Sequence, residues 1–204
     1  MDLEYKKHIF IHILRVNNWV SILEELISYI DSAGLRAKFH ISVENHEIYT
    51  LSKVYNFAFY HRSAYILYIH LKGVTHYGQP TYPGRVDWRR YMSRYLISHW
   101  RSATGYLKRY DAVGVEWKED GKEEWSHIPQ HYAGNFWWTT SNHIQTLRDP
   151  VKLDLRRLND PETWIATNRQ GIYKCLYRQN QTGNVDDWDW TKYPHAKPKK
   201  EKEK

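Results

Sequence analysis

The order of hydropathy patterns along the chain predicts a single α/β domain with a mainly parallel, twisted sheet flanked by helices. Two observations carry that expectation. Short β-branched and aromatic runs alternate with stretches whose apolar residues recur at three and four, the pattern of βαβ units. The 204 residues, with one cysteine, Cys175, are enough to bury a core and exclude both an intrachain disulfide framework and a Cys-based zinc finger.

Residues His8 to Leu14 read as a buried strand, because polar breaks are few. Asn17 or Asn18 then offers a cap for a helix carrying Trp19, Ile22, Leu23, Leu26, Ile27 and Ile30, which Ser32-Ala33-Gly34 ends. A strand is expected at Phe39 to Val43 and a helix from about Thr50 to Phe59. The strongest strand signal, Ala64 to His70, runs into Leu71-Lys72-Gly73. Gly78, Pro80, Pro83 and Gly84 mark Val74 to Arg85 as irregular. Asp87 to Tyr110 predicts one long helix with Trp88, Tyr91, Met92, Tyr95, Leu96, Trp100, Ala103 and Leu107 on a single face. Further strands are expected at Ala112 to Trp117, His131 to Trp138 and Ile172 to Tyr177. Asp160 and Pro161 suit the cap and first position of a short helix. No internal repeat is visible.

Charge narrows the function classes. Lys and Arg exceed Asp and Glu by 30 to 23, a net +7, of which the stretch 197–204 contributes +3 from five Lys and two Glu. The folded part is thus only mildly basic, and its 10 Trp, 17 Tyr and 5 Phe fall largely on core periodicities, so nucleic acid is not the expected partner. The longest apolar runs fall far short of the roughly 20 residues that span a bilayer, and Met1 to Lys7 lacks the apolar centre of a signal peptide. A chain of the reducing cytoplasm with no transmembrane segment is expected, ending in a disordered Lys/Glu-rich tail at 195–204.

In a doubly wound sheet, ligands bind outside the carboxyl ends of the strands. That rule selects Arg15 and Asn17, His70 and Lys72, Trp117 and Asn135. His70-Leu71-Lys72-Gly73 delivers an imidazole and an ammonium two residues apart before a glycine, which suits an anionic group such as a diphosphate; a solvated strand end is the competing reading. Within His131-Tyr132-Ala133-Gly134-Asn135-Phe136-Trp137-Trp138, the two indoles point to opposite faces, so at least one meets a second layer or a ligand. Asn135 beside Gly134 is a candidate for a sugar hydroxyl, with packing of both Trp in the core as the alternative. Glu162 lies in the first turn of a helix, where the dipole already accounts for a carboxylate. Asp186, Asp187 and Asp189 read as an exposed acidic turn or a hard-cation site. His127 and His131 are separated by Pro129, which argues against one metal-binding helix.

Taken in order, Ile66 to Gly73, Asp87-Trp88-Arg89-Arg90-Tyr91-Met92, His131 to Trp138 and Glu162-Thr163-Trp164-Ile165 resemble the small GT-A-type glycosyltransferase-like proteins found in large DNA viruses and in microbial polysaccharide clusters. Asn17-Asn18-Trp19 to Ser32-Ala33-Gly34-Leu35 is similar too, and the resemblance spans about residues 8–178. It implies a Rossmann-like, nucleotide-sugar-binding domain over 1–194 that moves a sugar from a nucleoside-diphosphate donor to a hydroxyl of a glycan or other acceptor. In the wider group an Asp-x-Asp motif at the end of the central strand holds a divalent cation, manganese or magnesium, against the diphosphate. Here His70-Leu71-Lys72 stands in that place, and His and Lys form no oxygen cage for a hard cation, so the need for the metal is open and Lys72 is the alternative source of positive charge. The resemblance places His70, Lys72, Gly73, Arg15 and Asn17 at the donor phosphates. It sets His131, Gly134, Asn135, Trp137 and Trp138 at donor or acceptor sugar, and makes Glu162 the base and Lys72 the stabiliser of the leaving group. Where related folds bring an acidic contact to the nucleotide base, this chain offers only Glu44 and Glu47. The other reading is a non-catalytic carbohydrate- or nucleotide-binding module on the same fold.

Overall fold

The computed structural model describes residues 6–119, 129–153 and 160–178. The first half follows the expected alternation: β1 (Lys6–Ile13), α1 (Trp19–Ser32), β2 (Lys38–Val43), α2 (Glu47–Tyr60) and β3 (Ala64–His70). Then come α3 (Tyr82–Ser93), α4 (Trp100–Tyr106), β4 (Ala112–Gly114), β5 (Trp117–Lys118), β6 (His131–Tyr132), β7 (Trp137–Thr140), α5 (Ser141–Ile144), α6 (Asp160–Thr163) and β8 (Tyr173–Cys175). The expected tail at 195–204, the acids Asp186, Asp187 and Asp189, and His127 lie outside the described residues.

The sheet is mixed. Its six strands run in the order β2-β1-β3-β7-β4-β8. β1 is parallel to β2 and β3, β4 is parallel to β8, and β7 is antiparallel to both of its neighbours. The chain leaves β1 toward β2 on one side and returns through α2 to β3 on the other, so the strand order reverses between β1 and β3. Such a reversal opens a crevice at the carboxyl edge.

Strand alternation divides the core into two layers. On one face Ile9, Ile11, Ile13, Leu67, Ile69, Val113 and Trp138 pack against Ile22, Leu26 and Ile30 of α1 and Trp88, Met92 and Ala103 of α3 and α4. On the other, Phe10, Ile66, Tyr68 and Trp137 pack against Leu51, Val54 and Ala58 of α2 and against Trp164 and Ile165. Tyr68 stacks on Trp137 at 5.0 Å between centroids, a pairing that adds about 0.5–1.5 kcal/mol to the burial itself.

Three expectations are corrected. The single helix over Asp87 to Tyr110 begins earlier, with Pro83 and Gly84 inside its first turn, and is interrupted by a π-helical turn at Arg94–Ser98. There the backbone N–H and the ring Nδ1 of His99 both donate to the Arg94 carbonyl, at 3.2 and 2.8 Å. The strand expected over His131 to Trp138 is two strands in different sheets, β6 pairing with β5 and β7 with β3 and β4. Between them Gly134 and Asn135 adopt left-handed φ of 88° and 54°, which turns the chain from one sheet to the other. The helix expected from Thr50 begins at Glu47, and that earlier start places a carboxylate over the crevice.

Candidate functional site

At the carboxyl edge of β1 and β3 lies a cleft of about 360 Å³, lined among others by His12, His46, Glu47, His70, Lys72 and His76. Its position follows from the strand-order reversal, and its chemistry from which residues come next in the chain after each strand.

β3 delivers His70 on the α2 side of the sheet. The ring Nε2 donates to the Gly134 carbonyl at 2.9 Å, and Nδ1 makes a 2.8 Å ion-pair contact with Glu47 Oε1. Glu47 Oε2 accepts from Asn135 Nδ2 at 3.1 Å, and Asn135 Oδ1 accepts from Trp137 Nε1 at 2.8 Å. A chain of polar contacts thus runs from the cleft floor into the core. Desolvation alone would raise the Glu47 carboxyl, but His70, His12 and Lys72 outweigh it and hold it down at about 2. Tyr68 lies beneath this carboxylate, and burial together with that charge pushes its phenol well above the ordinary range. His12, bonded through Nδ1 to Thr50 Oγ1 at 2.8 Å, is lowered to about 4, chiefly by burial.

Immediately after β3 the chain makes a tight turn, with the Lys72 N–H donating to the His70 carbonyl at 2.8 Å. Gly73 continues it at φ 92°; a Cβ there would stand 3.0 Å from Arg85 Cβ. Arg89, 1 % exposed, reaches up from α3 to donate to the Lys72 carbonyl at 2.7 Å and is held by Glu25 at 2.8 Å. The ammonium of Lys72 sits 4.4 Å over the Trp88 ring and 3.3 Å from Glu162 Oε1. The other Glu162 oxygen is 3.9 Å from His131 Nε2, and His131 Nδ1 donates to the Pro129 carbonyl at 2.7 Å, which fixes the ring's orientation. A lysine, a carboxylate and an imidazole from three distant segments therefore meet beside the cleft.

No family model matches the chain, and no curated protein matches it. Among solved structures it is similar to the crystal structure of A197 from STIV, at 9 % identity and a TM-score of 0.49 over 84 % of this chain and 82 % of that one. A likeness of that degree carries no inference about function.

The structure brings together His70, Lys72, Gly73, His131, Gly134, Asn135 and Glu162 from the residues expected at the site, but it changes the part that several of them play. Asn135 is 0 % exposed, and its amide is bonded to Glu47 and Trp137, so it positions the network rather than meeting a sugar. Gly134 offers His70 its carbonyl, and a Cβ there would lie 2.5 Å from Met92 Sδ. Trp137 and Trp138 are both 0 % exposed, one in each core layer, and are corrected from sugar-facing to core residues; the Trp138 Nε1 donates to the Leu96 carbonyl at 2.6 Å. Arg15 is exposed and lies 5.6 Å from the Trp19 ring, outside the cleft lining. Asn17, also exposed and with φ 50°, donates to the Val74 carbonyl at 2.8 Å and ties the loop after β1 to the turn after Gly73. Trp117 stacks on Tyr173 at 4.7 Å, away from the cleft.

A divalent cation does not fit these residues. Both His70 nitrogens face oxygens of the protein, both Glu47 oxygens are engaged, and Lys72 brings its own positive charge to the place where an acid would be required. Among the described residues, no group of three or more His, Cys, Asp or Glu is placed to hold a metal ion. Of the two acids noted near the second strand, Glu44 pairs with Lys53 at 2.7 Å at the surface, whereas Glu47 belongs to the site. Its signal was the i, i+3 spacing of Ile48, Leu51 and Val54, which extends the helical period back to residue 47. No helix among the described residues is long and apolar enough to cross a membrane.

Proposed function

We propose that the chain is a GT-A-like glycosyltransferase that holds a nucleoside-diphosphate sugar in this cleft and transfers the sugar to an acceptor hydroxyl without a metal. The observation that carries this reading is the meeting of Lys72 and Glu162 beside the crevice between β1 and β3, a cation suited to a diphosphate next to a carboxylate suited to an acceptor proton. The resemblance in sequence order supports it, as does a sheet in which all strands but β7 run one way.

In the displacement this implies, the acceptor oxygen forms a bond to the anomeric carbon while the bond from that carbon to the diphosphate oxygen breaks. The acceptor proton passes to Glu162, and Lys72 stabilises the charge that develops on the departing diphosphate. Lys72 must leave Glu162 to do so, and that exchange of partners frees the carboxylate as base. His131, 3.9 Å away, remains to hold it in place. The alcohol of a glycan is the acceptor class, and cytoplasmic sugar nucleotide the donor class.

The test is transfer or hydrolysis of labelled nucleotide sugars, with and without manganese, alongside a thermal-shift panel of nucleoside diphosphates. Turnover is expected to be indifferent to manganese and to fall by two orders of magnitude or more in Glu162→Gln and in Lys72→Ala, in keeping with general-base and charge-stabilising roles of about 10²-fold and upward. Wild-type rates in both variants would overturn the assignment. One observation favours the non-catalytic reading: Lys72 and Glu162 neutralise one another across 3.3 Å. Stabilisation by nucleotide or glycan with no turnover of any donor would decide for it.

A further inference from the structure

The outer edge of the sheet is built as an interface. Among the described residues, β1 is the sheet neighbour of β2, which stands at the end of the strand order. The Glu44 N–H donates to the Ile13 carbonyl, so the even-numbered residues of β2 turn their backbone groups toward β1 and the odd-numbered Phe39, Ile41 and Val43 turn theirs outward. Those same three residues carry apolar side chains that are 42 %, 56 % and 40 % exposed. They share the sheet face of their β1 partners Ile9, Ile11 and Ile13. Edge strands of monomeric proteins are commonly blunted by proline, a bulge or inward charge. Between Phe39 and Val43 this edge has none of these.

We propose that β2 pairs antiparallel with β2 of a second copy across a two-fold axis at Ile41, joining the two sheets into one. The strand is self-complementary in that register. Phe39 falls opposite the partner's Val43 and Ile41 opposite its own counterpart, and each pair consists of outward-facing residues able to exchange both backbone hydrogen bonds. All these side chains lie on one face, so the exposed apolar rows of both copies cover each other. On the other face Lys38 falls opposite the partner's Glu44, which already holds Lys53 of its own chain at 2.7 Å, so each carboxylate gains a second cation, twice by the symmetry. A shift of the register by one residue would place inward-turned groups of one copy against outward-turned groups of the other, and a shift by two, which moves the axis to His40 or Ser42, would separate the charges. The inference is independent of the reaction proposed for the cleft.

Sedimentation or light scattering of the full chain across a concentration series is expected to give twice the 24.7 kDa chain mass. Ile41→Lys sets like charges face to face on the axis and is expected to yield a monomer with unchanged far-ultraviolet circular dichroism. Ile41→Cys is expected to form a disulfide-linked dimer on mild oxidation, since residues opposed in a bonded pair stand about 5.5 Å apart at Cα, within disulfide reach. Lys38→Glu should loosen the dimer and the double variant with Glu44→Lys restore it, a check that stands even if Ile41→Lys misfolds. A wild-type chain that stays monomeric at every concentration overturns the proposal, whatever else covers the edge. So does a dimer indifferent to both Ile41→Lys and the charge exchange.

Discussion

Replacing Glu47 by Gln removes one charge from the centre of the site and leaves its shape. The amide can accept from Asn135 Nδ2 and donate to His70 Nδ1, so the hydrogen-bonding groups stay matched while the ion pair is lost. The carboxyl is held at about 2 against about 4.5 for an exposed carboxylate, so the folded protein favours the ionised form by roughly 3 kcal/mol, taking about 1.36 kcal/mol per pH unit. A depressed carboxyl contributes its stability above the unfolded value and loses it as pH falls toward the folded one. Between about pH 7 and about pH 4 the wild-type chain should therefore lose on the order of 1 kcal/mol that Glu47→Gln does not. Glu47 also raises His12, so removing it makes His12 lose slightly more over the same range, which narrows the difference. Urea unfolding at the two pH values measures the difference, and the carboxyl-carbon resonance of Glu47 reports its titration directly. Two results together would refute the reasoning: a Glu47 resonance that titrates near 4.5, and unfolding curves for wild type and variant that shift in parallel with acid.

Other substitutions test other joints. Arg89→Met leaves Glu25 with Arg90 and removes the donor to the Lys72 carbonyl; a loss of about 3–5 kcal/mol, a fall in Tm on the order of 10 °C, is expected in calorimetry. Gly73→Ala forces a Cβ into the left-handed region against Arg85 and should cost about 1–3 kcal/mol by urea unfolding. Trp137→Ala should cost about 3–5 kcal/mol, because its ring lies between Tyr68 and Trp164; a ligand-facing indole would instead leave stability unchanged and weaken binding. His12, kept neutral by burial and lowered from 6.5 to about 4, must charge on unfolding, so stability should fall with pH across that window, and His12→Asn should flatten the fall.

The parts of this protein legible in sequence are those where one period dominates. Ala64 to His70 coincides with β3 because its near-continuous apolar run has few other readings, and α1 follows from its spaced apolar residues. The strand direction of β7 was not legible, since Trp137 and Trp138 pack in either orientation and the choice is made by pairing with β3 and β4. The division of His131 to Trp138 between two sheets rests on two consecutive left-handed residues, Gly134 and Asn135, and the second of these is a conformation that asparagine tolerates but does not announce. At the site, Lys72 and Glu162 were legible as chemistry but not as partners, being 90 residues apart in the chain. Trp137 and Asn135 were misread together for one reason: an indole and an amide near a glycine suit a sugar, and they suit each other equally well through the bond from Nε1 to Oδ1.

What sets the position of the Lys72 ammonium lies mostly outside the cleft. The turn that carries it is fixed at its start by His70, whose ring is anchored to Gly134 and Glu47, and at its end by Arg89, which grips the Lys72 carbonyl from beneath. Between these anchors the Lys72 N–H closes the turn on the His70 carbonyl, so the backbone has little freedom to follow a ligand. The side chain, by contrast, rests on the Trp88 face and one carboxylate, contacts that a more strongly charged anion can replace. A rigid turn bearing an exchangeable ammonium is the arrangement a phosphate clamp requires, because the ordering cost is met on folding and only the partner changes on binding. On the proposed reading of the cleft as a nucleotide site, substitutions at Arg89 or Asn135, neither of which lines the cleft, should weaken nucleotide affinity along with stability, whereas Arg15, beside the cleft in sequence but packed on Trp19 in space, should alter neither.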